Sequence, residues 1–296
     1  MLLITGGTGF IGARFAQKLI QSEHEVRLLL RPQKTNPNLP RNVSLEIAVS
    51  SLQDPRSLRA ALKNVKTVYH FATAEHQLPA ADYEGVDIQG TRNLMEAAQD
   101  AGVERVLYIS RVGAEKNSSF PVLKSKALAE EIIHKSGIPY SILRLTDVFG
   151  KGDHFSTQIK AAIMHSPLIL PIAGDGKNNL QPLWIEDLLT CLQLVYEEGV
   201  FENRTYELGG GEFFSFNKLI KIIMQRMQRQ RLVLPVSPAY LRLYNLWFKQ
   251  YKDSFPFSTL WLDLLAVERT CPLNSLPRNF GLLPARFTHH LEYLQR

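Results

Sequence analysis

The sequence predicts an α/β fold, a doubly wound parallel sheet followed by a smaller and more irregular lobe. Three observations carry that prediction. Short apolar runs alternate with stretches of helical periodicity through the first half of the chain. Those runs lack in-out alternation, as expected of strands covered on both faces. A cluster of glycines sits directly between the first run and the first helical stretch.

Leu2 to Thr5 is the first apolar run, and Ile11, Phe15, Ala16 and Leu19 then recur at helical spacing. Val26 to Leu30 reads as the second strand. Asp54 before Pro55 marks a helix start, the carboxylate capping free amides and the proline occupying the first helical position. That helix carries Leu58, Ala61 and Leu62 towards Val65. Val68 to Ala72, Val106 to Ser110 and Ser141 to Leu145 read as further strands, each preceded by a helical segment. Leu168 to Trp184 contains Gly174, Asp175 and Gly176, a turn that points to a hairpin or a lobe loop. Glu186 to Tyr196 reads as helix and Thr205 to Leu208 as strand. Ser215 caps an amphipathic helix bearing Leu219, Ile222, Ile223 and Met227, and Ser237 with Pro238 starts another. The simplest division is a sheet domain over 1–150 and a mixed lobe over 151–296, with part of 178–210 returning to the sheet.

With 45% apolar and 21% charged residues, the composition is that of a globular protein rather than a disordered or fibrous one. No run approaches the ~18 apolar residues of a spanning helix. Leu2, Leu3 and Ile4 follow Met1 with no basic stretch, so no targeting segment is expected. Cys191 and Cys271 lie far apart, which argues against a disulfide framework or zinc ribbon and for a reducing, cytoplasmic setting. None of the eight histidines forms a metal-ligand pattern, so no metal is expected. His289 and His290 read as exposed tail, and Asp153 and Asp175 as loop or turn acids.

The run Thr5-Gly6-Gly7-Thr8-Gly9-Phe10-Ile11-Gly12 places glycines at 6, 9 and 12 between strand and helix. The first allows a tight turn, the second lets backbone amides approach a pyrophosphate, and the third lets helix pack on strand. The context makes this a dinucleotide-binding turn and the sheet domain Rossmann-type. Gly6, Thr8, Gly9, Phe10, Ile11 and Gly12 are therefore assigned to the cofactor. An acid about 20 positions on would bind the adenosine ribose; here the strand ends at Arg31, followed by Lys34. A guanidinium pairs a phosphate through two parallel hydrogen bonds, so NADP(H) is expected over NAD(H).

These residues resemble the extended short-chain dehydrogenase/reductase family. The resemblance continues through His70-Phe71-Ala72, Asp87-Ile88-Gln89-Gly90-Thr91-Arg92-Asn93-Leu94, Ser110, Ser125-Lys126-Ala127, Asp147-Val148-Phe149-Gly150 and Gln181-Pro182-Leu183-Trp184-Ile185-Glu186-Asp187. Within the family it is most similar to the atypical branch holding NmrA-like proteins and the dehydrogenase-like accessory subunit of respiratory complex I. The resemblance implies that Ala72, Thr73 and Ser110 border the cofactor and that Lys126 anchors the nicotinamide ribose.

Catalytic members carry a tyrosine four residues before that lysine, and here the position is Val122. The family's second hydroxyl after Ser110 is replaced by Arg111, and the Asp near the adenine by Ser51. A positioned acid or base contributes roughly 10²- to 10⁴-fold, so ordinary carbonyl reduction is not expected. In tyrosine-less relatives the lysine itself moves the proton, which Lys126 could do if burial lowers its pKa. His76 and His154 are further candidate acids on loops.

Between Phe213 and Lys252 there are eight Lys or Arg and no acid, although the whole chain carries only +6. Tyr240, Tyr244, Trp247, Phe248, Tyr251, Phe255, Phe257 and Trp261 accompany them. One reading packs the aromatics over the cofactor with the charges in solvent. The other is peripheral contact with an anionic membrane or a membrane complex. No nucleic-acid partner is expected, since no base-stacking or groove-reading motif accompanies the charge. The functions left open are a non-standard NAD(P)H-dependent oxidoreductase acting on an unknown small-molecule substrate, a redox-responsive binding subunit, a nucleotide-sugar epimerase or dehydratase, and a non-catalytic assembly factor.

Overall fold

The computed structural model describes residues 1–32, 45–75, 81–197, 203–247 and 258–295, the side chains of 244–247 and 259 excepted. Two compact units are present: Met1–Arg144 with Leu189–Tyr206, and Leu145–Leu188 with Glu207–Arg296.

The chain runs through β1 (Leu2–Thr5), α1 (Phe10–Gln21), β2 (Val26–Leu30), β3 (Leu45–Val49), α2 (Pro55–Ala61) and β4 (Thr67–His70). A widened π-type turn over Tyr83–Gln89 leads into α3 (Gly90–Asp100), then β5 (Arg105–Arg111), α4 (Pro121–Lys135) and β6 (Tyr140–Leu145). There follow β7 (Val148–Phe149), α5 (Phe155–His165), β8 (Ile169–Ala173), β9 (Asn179–Leu180), β10 (Leu183–Trp184), α6 (Ile185–Glu197) and β11 (Arg204–Leu208). The remainder is β12 (Phe214–Ser215), α7 (Phe216–Arg226), β13 (Leu232–Val236), α8 (Pro238–Trp247), α9 (Thr259–Leu265), α10 (Ser275–Phe280) and two short 3₁₀ turns.

The central sheet has the order β11-β6-β5-β4-β1-β2-β3. From β1 the chain winds outward through β2 and β3, then returns to the other side of β1 as β4, all by parallel pairings. The carboxyl ends of β1 and β4 therefore diverge at a topological switch point, where such sheets bind ligands. Leu3, Val68, Val106 and Ile142 from four strands pack with Leu58, Leu94, Ala98 and Ile133 from the covering helices, which is why their sequence shows runs rather than alternation. Asp54 caps α2 as the sequence indicates, accepting from the amides of Arg56 (3.0 Å) and Ser57 (3.4 Å).

β3 carries no clean sequence signal because it is an edge strand: Ile47 and Val49 stay exposed, and Glu46 pairs with Arg27 of β2. Of the two readings of 168–184, a hairpin or a lobe loop, the hairpin does not form. Gly174 and Gly176 do turn the chain, with φ of +71° and +66°, but the flanking strands take other partners. β8 pairs in parallel with β13, and β9 pairs antiparallel with β12. The second unit has its own core, in which Phe149, Ile159, Ile163, Ile172, Leu219, Ile223 and Leu262 are buried. Among the described residues no helix is long and apolar enough to cross a membrane.

Candidate functional site

The glycine turn begins where β1 ends. Gly6 has φ +68°, and a Cβ there would come within 2.7 Å of the Ala72 amide nitrogen. A Cβ on Gly12 would lie 2.4 Å from the Gly6 carbonyl oxygen. The turn is thus closed against both the first turn of α1 and the backbone beyond β4. Gly9, the N-cap of α1, has no side chain to cap the helix, and no acid lies in its first turn. The leading amides consequently face outward for an anion, the arrangement a pyrophosphate requires. Thr8 and Gly9 are exposed, Phe10 and Ile11 half-buried, and the Arg14 guanidinium lies 5.3 Å from the centre of the Phe10 ring.

The π-type turn before α3 directs Asp87 inward, where it organises the loop after β4. Its Oδ1 accepts from the Thr73 hydroxyl at 2.7 Å and its Oδ2 from the Ala74 amide at 2.8 Å. The Lys126 Nζ is 3.3 Å from Oδ1, with both side chains almost completely buried. The Asp87 carbonyl accepts from the Thr91 hydroxyl at 2.5 Å. Having given its only proton there, Thr91 must accept from His70 Nε2, 2.9 Å away. His70 is therefore the neutral Nε2–H tautomer, and its Nδ1 accepts from Thr5 Oγ1 at 2.7 Å. Thr5 Oγ1 in turn accepts from the Ala72 amide at 3.1 Å. One hydrogen-bonded chain thus connects the glycine-turn strand, the loop at 72–75 and α3.

Burial, with the Lys126 charge adding to it, drives the His70 pKa from 6.5 down to about 3. The unfolded chain binds this proton below pH 6.5 and the folded one does not, so His70 contributes stability that is complete above about 6.5 and is lost as pH falls towards 3. Unfolding free energy should decline over that window with a slope reaching about 1.4 kcal/mol per pH unit. Chemical denaturation of His70→Gln across the same range should show a flatter profile than wild type; parallel profiles would refute the assignment.

Lys126 lies on α4 with its Nζ 5.3 Å from the centre of the Tyr108 ring. Burial alone would lower its pKa, but Tyr108, Asp87 and Glu75 outweigh it and hold the ammonium above its ordinary value. The condition on which proton transfer by Lys126 rested, a pKa lowered by burial, is not met. The chain stabilises the charged form, which suits an anchor for hydroxyls and not an acid or base working near neutrality. Val122, one turn earlier on α4, is buried and offers no proton.

The hydroxyl of Ser110, at the end of β5, donates to Glu130 Oε1 at 2.5 Å, and Glu130 is held in addition by Arg144 at 2.7 and 2.9 Å. Arg111, where a second hydroxyl would stand, forms an ion pair with Glu75, and both side chains are largely buried. Arg31 is exposed just past β2; because Thr5 aligns with Leu29, it lies at the sheet edge that carries the glycine turn.

The structure therefore brings Gly6, Gly12 and Ala72 into one turn, and Thr73 and Lys126 onto one carboxylate. Ser110 is instead directed to Glu130. Lys34 and His76 lie outside the described residues. His154 is exposed at the start of α5. Asp153 lies in the loop before α5, as the sequence indicates, and is buried there: it accepts from the Gly150 amide (2.7 Å), Ser156 (2.6 Å), the Thr157 amide (2.9 Å) and Tyr293 (3.1 Å). His290 is not free tail, since it stacks on Trp184 at 4.4 Å. Among the described residues no cluster of three His, Cys, Asp or Glu is placed to hold a metal ion. The sequence reading missed Asp87, His70, Thr91 and Glu75 as site residues, although the first three stand in the motifs that carried the resemblance.

Comparison with known proteins agrees with this geometry. Residues 6–161, more than half of the chain, match a family described as NAD(P)H-binding. The photosystem II assembly factor Ycf39 of Cyanophora paradoxa is 28% identical over 148 residues, covering 50% of this chain and 46% of that protein. The mitochondrial NADH dehydrogenase (ubiquinone) 1 alpha subcomplex subunit 9 of Arabidopsis thaliana is 24% identical, covering 80% of this chain and 61% of its own. The chain thus spans about half to three fifths of the length of these two relatives. The dTDP-glucose 4,6-dehydratase DesIV of Streptomyces venezuelae, solved with NAD bound, superposes with a TM-score of 0.79 at 22% identity, covering 100% of this chain and 96% of that one. At that identity the likeness shows the fold alone. The glycine turn, the switch point above it and the match over residues 6–161 have one explanation: the chain belongs to the NAD(P)H-binding family, on the extended short-chain dehydrogenase/reductase fold.

Proposed function

We propose that this chain is an NADP(H)-binding subunit whose occupancy reports redox state to a larger assembly, and that it does not reduce carbonyls by the usual tyrosine route. The observation that carries this reading is the Lys126–Asp87 pair next to Val122: the anchor for the nucleotide is retained while the proton donor is gone. The Arg111–Glu75 pair supports it, since charged side chains satisfied by each other replace a hydroxyl that would polarise a substrate. Two relatives are named as an assembly factor and as a respiratory-complex subunit, which is consistent with a binding role.

The nucleotide, when bound, supplies hydride at its nicotinamide. On the protein side, the α1 amides would receive the pyrophosphate, Arg31 the 2′-phosphate and Lys126 the nicotinamide ribose. NADPH should therefore bind more tightly than NADH. Arg31→Asp should weaken NADPH and improve NADH, each by about ten-fold, the size of one charge-assisted hydrogen bond at a solvated site. Fluorescence titration of both reduced nucleotides measures this directly; unchanged preference in the variant would remove Arg31 from the site. Incubation of the NADPH complex with small carbonyls, enones and quinones should leave the nicotinamide absorbance constant. Steady consumption of NADPH with any of them would instead make the protein an oxidoreductase.

A further inference from the structure

The β8–β13 ribbon of the second unit has an unusual outer face. Its two strands come from stretches that contain no Asp or Glu at all, residues 154–174 and 213–252. Pairing aligns Leu232 with Ile169 and Leu234 with Pro171. The inward side is ordinary: Leu170 and Ile172 are buried in the core, with Val233 and Val236 packed against it. A ribbon with one face in solvent normally presents polar residues there. This one presents Ile169 (47% exposed), Leu232 (67%) and Leu234 (47%), continued by Leu168 (76%) before β8.

Cations enter the ribbon at the same end. Arg229 is exposed just before β13, and Arg231 is fixed beside Leu232 by hydrogen bonds to the carbonyls of Ser166 and Gln230. Three acids of neighbouring elements have cationic partners: Glu292 holds Arg226 at 2.8 Å, Asp263 holds Arg242 at 2.7 Å, and Asp175, just past β8, pairs with Lys177 at 3.4 Å. Tyr240, 70% exposed near the start of α8, adds an amphipathic ring. The rest of the aromatic segment is less informative, because Trp261 is buried and most of the others lie outside the described side chains.

We propose that this face docks on an anionic lipid bilayer, with Leu168, Ile169, Leu232 and Leu234 entering the boundary between headgroups and acyl chains and Arg229 and Arg231 meeting lipid phosphates. A bilayer fits better than a protein partner, since these four exposed positions of the strip are all aliphatic and the charged groups beside them, Arg229 and Arg231, are both cations. Such binding follows electrostatic attraction plus a small apolar insertion, so it weakens with salt.

The test uses the full chain in cosedimentation with vesicles of phosphatidylcholine alone or mixed with phosphatidylglycerol. Wild type should be retained on the anionic vesicles at low salt, and released by high salt or by omitting phosphatidylglycerol. Arg229→Gln should lower the partition about five-fold, as one juxtamembrane cation does. Leu232→Asn with Leu234→Asn should lower it by about ten-fold or more, while Leu283→Asn, at a separate exposed leucine, should leave it unchanged. All these positions are exposed, and thermal melts check that each variant stays folded. The proposal is overturned by absence of wild-type retention, by retention that the ribbon substitutions do not reduce, or by a wild-type dimer in sedimentation velocity that those substitutions dissociate. The last result would assign the face to a second copy of the chain.

Discussion

Replacement of Lys126 by methionine is expected to lower the unfolding free energy by about 3–5 kcal/mol, more than most single substitutions in the first unit. Methionine fills nearly the same volume, so the cost is not a cavity. It arises because Asp87, with no exposed side-chain surface, keeps its two neutral donors but loses its countercharge. Asp87→Asn introduced with Lys126→Met removes both charges and should recover a large part of the loss, the amide oxygen accepting from Ala74 while its NH2 donates to a Thr73 hydroxyl that must reverse its own bond. The pair also has a pH signature. The Lys126 pKa is raised on folding, so its stabilisation is complete below the ordinary value of 10.5 and fades as pH climbs past it. Denaturant titrations of wild type, both single variants and the double variant give the coupling energy. If Lys126→Met costs less than about 1 kcal/mol, the two side chains do not form the buried pair described, and the assignment of Lys126 as a fixed anchor goes with it.

The same region shows what a one-dimensional reading can reach. The turn at 6–12 is legible because each glycine answers a local steric demand at a fixed spacing, and spacing is visible in a sequence. Strands such as Leu2–Thr5 are legible because burial on both faces leaves a short run of buried residues without alternation. β3 is not, because at the edge of a sheet Ile47 and Val49 face solvent and Glu46 answers a neighbouring strand. The pairing of β8 with β13 is invisible for another reason: it joins residues about 60 apart, while a turn at Gly174 advertises a local hairpin. The polar network fails for a third reason. His70 owes its neutrality to burial first and to the Lys126 charge second, and its tautomer to Thr5 and Thr91; the three residues lie on three other elements, and sequence distance says nothing of that convergence. The motifs behind the resemblance include His70, Asp87 and Thr91. They could not say that Asp87 ties the loop after β4 to Lys126, nor that charges around the buried lysine would outweigh its burial.

Gly12→Ala provides the sharpest test of the nucleotide site. In an ordinary helix interior the change from glycine to alanine is stabilising by about 1 kcal/mol, through reduced freedom in the unfolded chain. Gly12 lies in α1 without positive φ, so that gain is available in principle. Against it, the new Cβ would stand 2.4 Å from the Gly6 carbonyl oxygen and 3.0 Å from the Gly7 Cα. Both are backbone atoms and cannot rotate away. Relief requires α1 to lift from the turn, and overpacking of this kind typically costs about 1–3 kcal/mol. The sign of the effect therefore reverses, from a rise in Tm to a fall. The lift also moves the leading amides of α1 away from the pyrophosphate position, and displacements of this order at an anion site should weaken NADPH by about a hundred-fold, equivalent to two charge-assisted hydrogen bonds. Gly137 is the control: it is exposed, has positive φ, and a Cβ added there would meet nothing within 4 Å. Alanine at that position should affect stability through backbone strain alone and leave NADPH affinity intact. Calorimetric melts and NADPH titrations of both variants separate the two effects. Wild-type affinity in Gly12→Ala would mean that the turn does not hold the pyrophosphate, whatever its resemblance to turns that do.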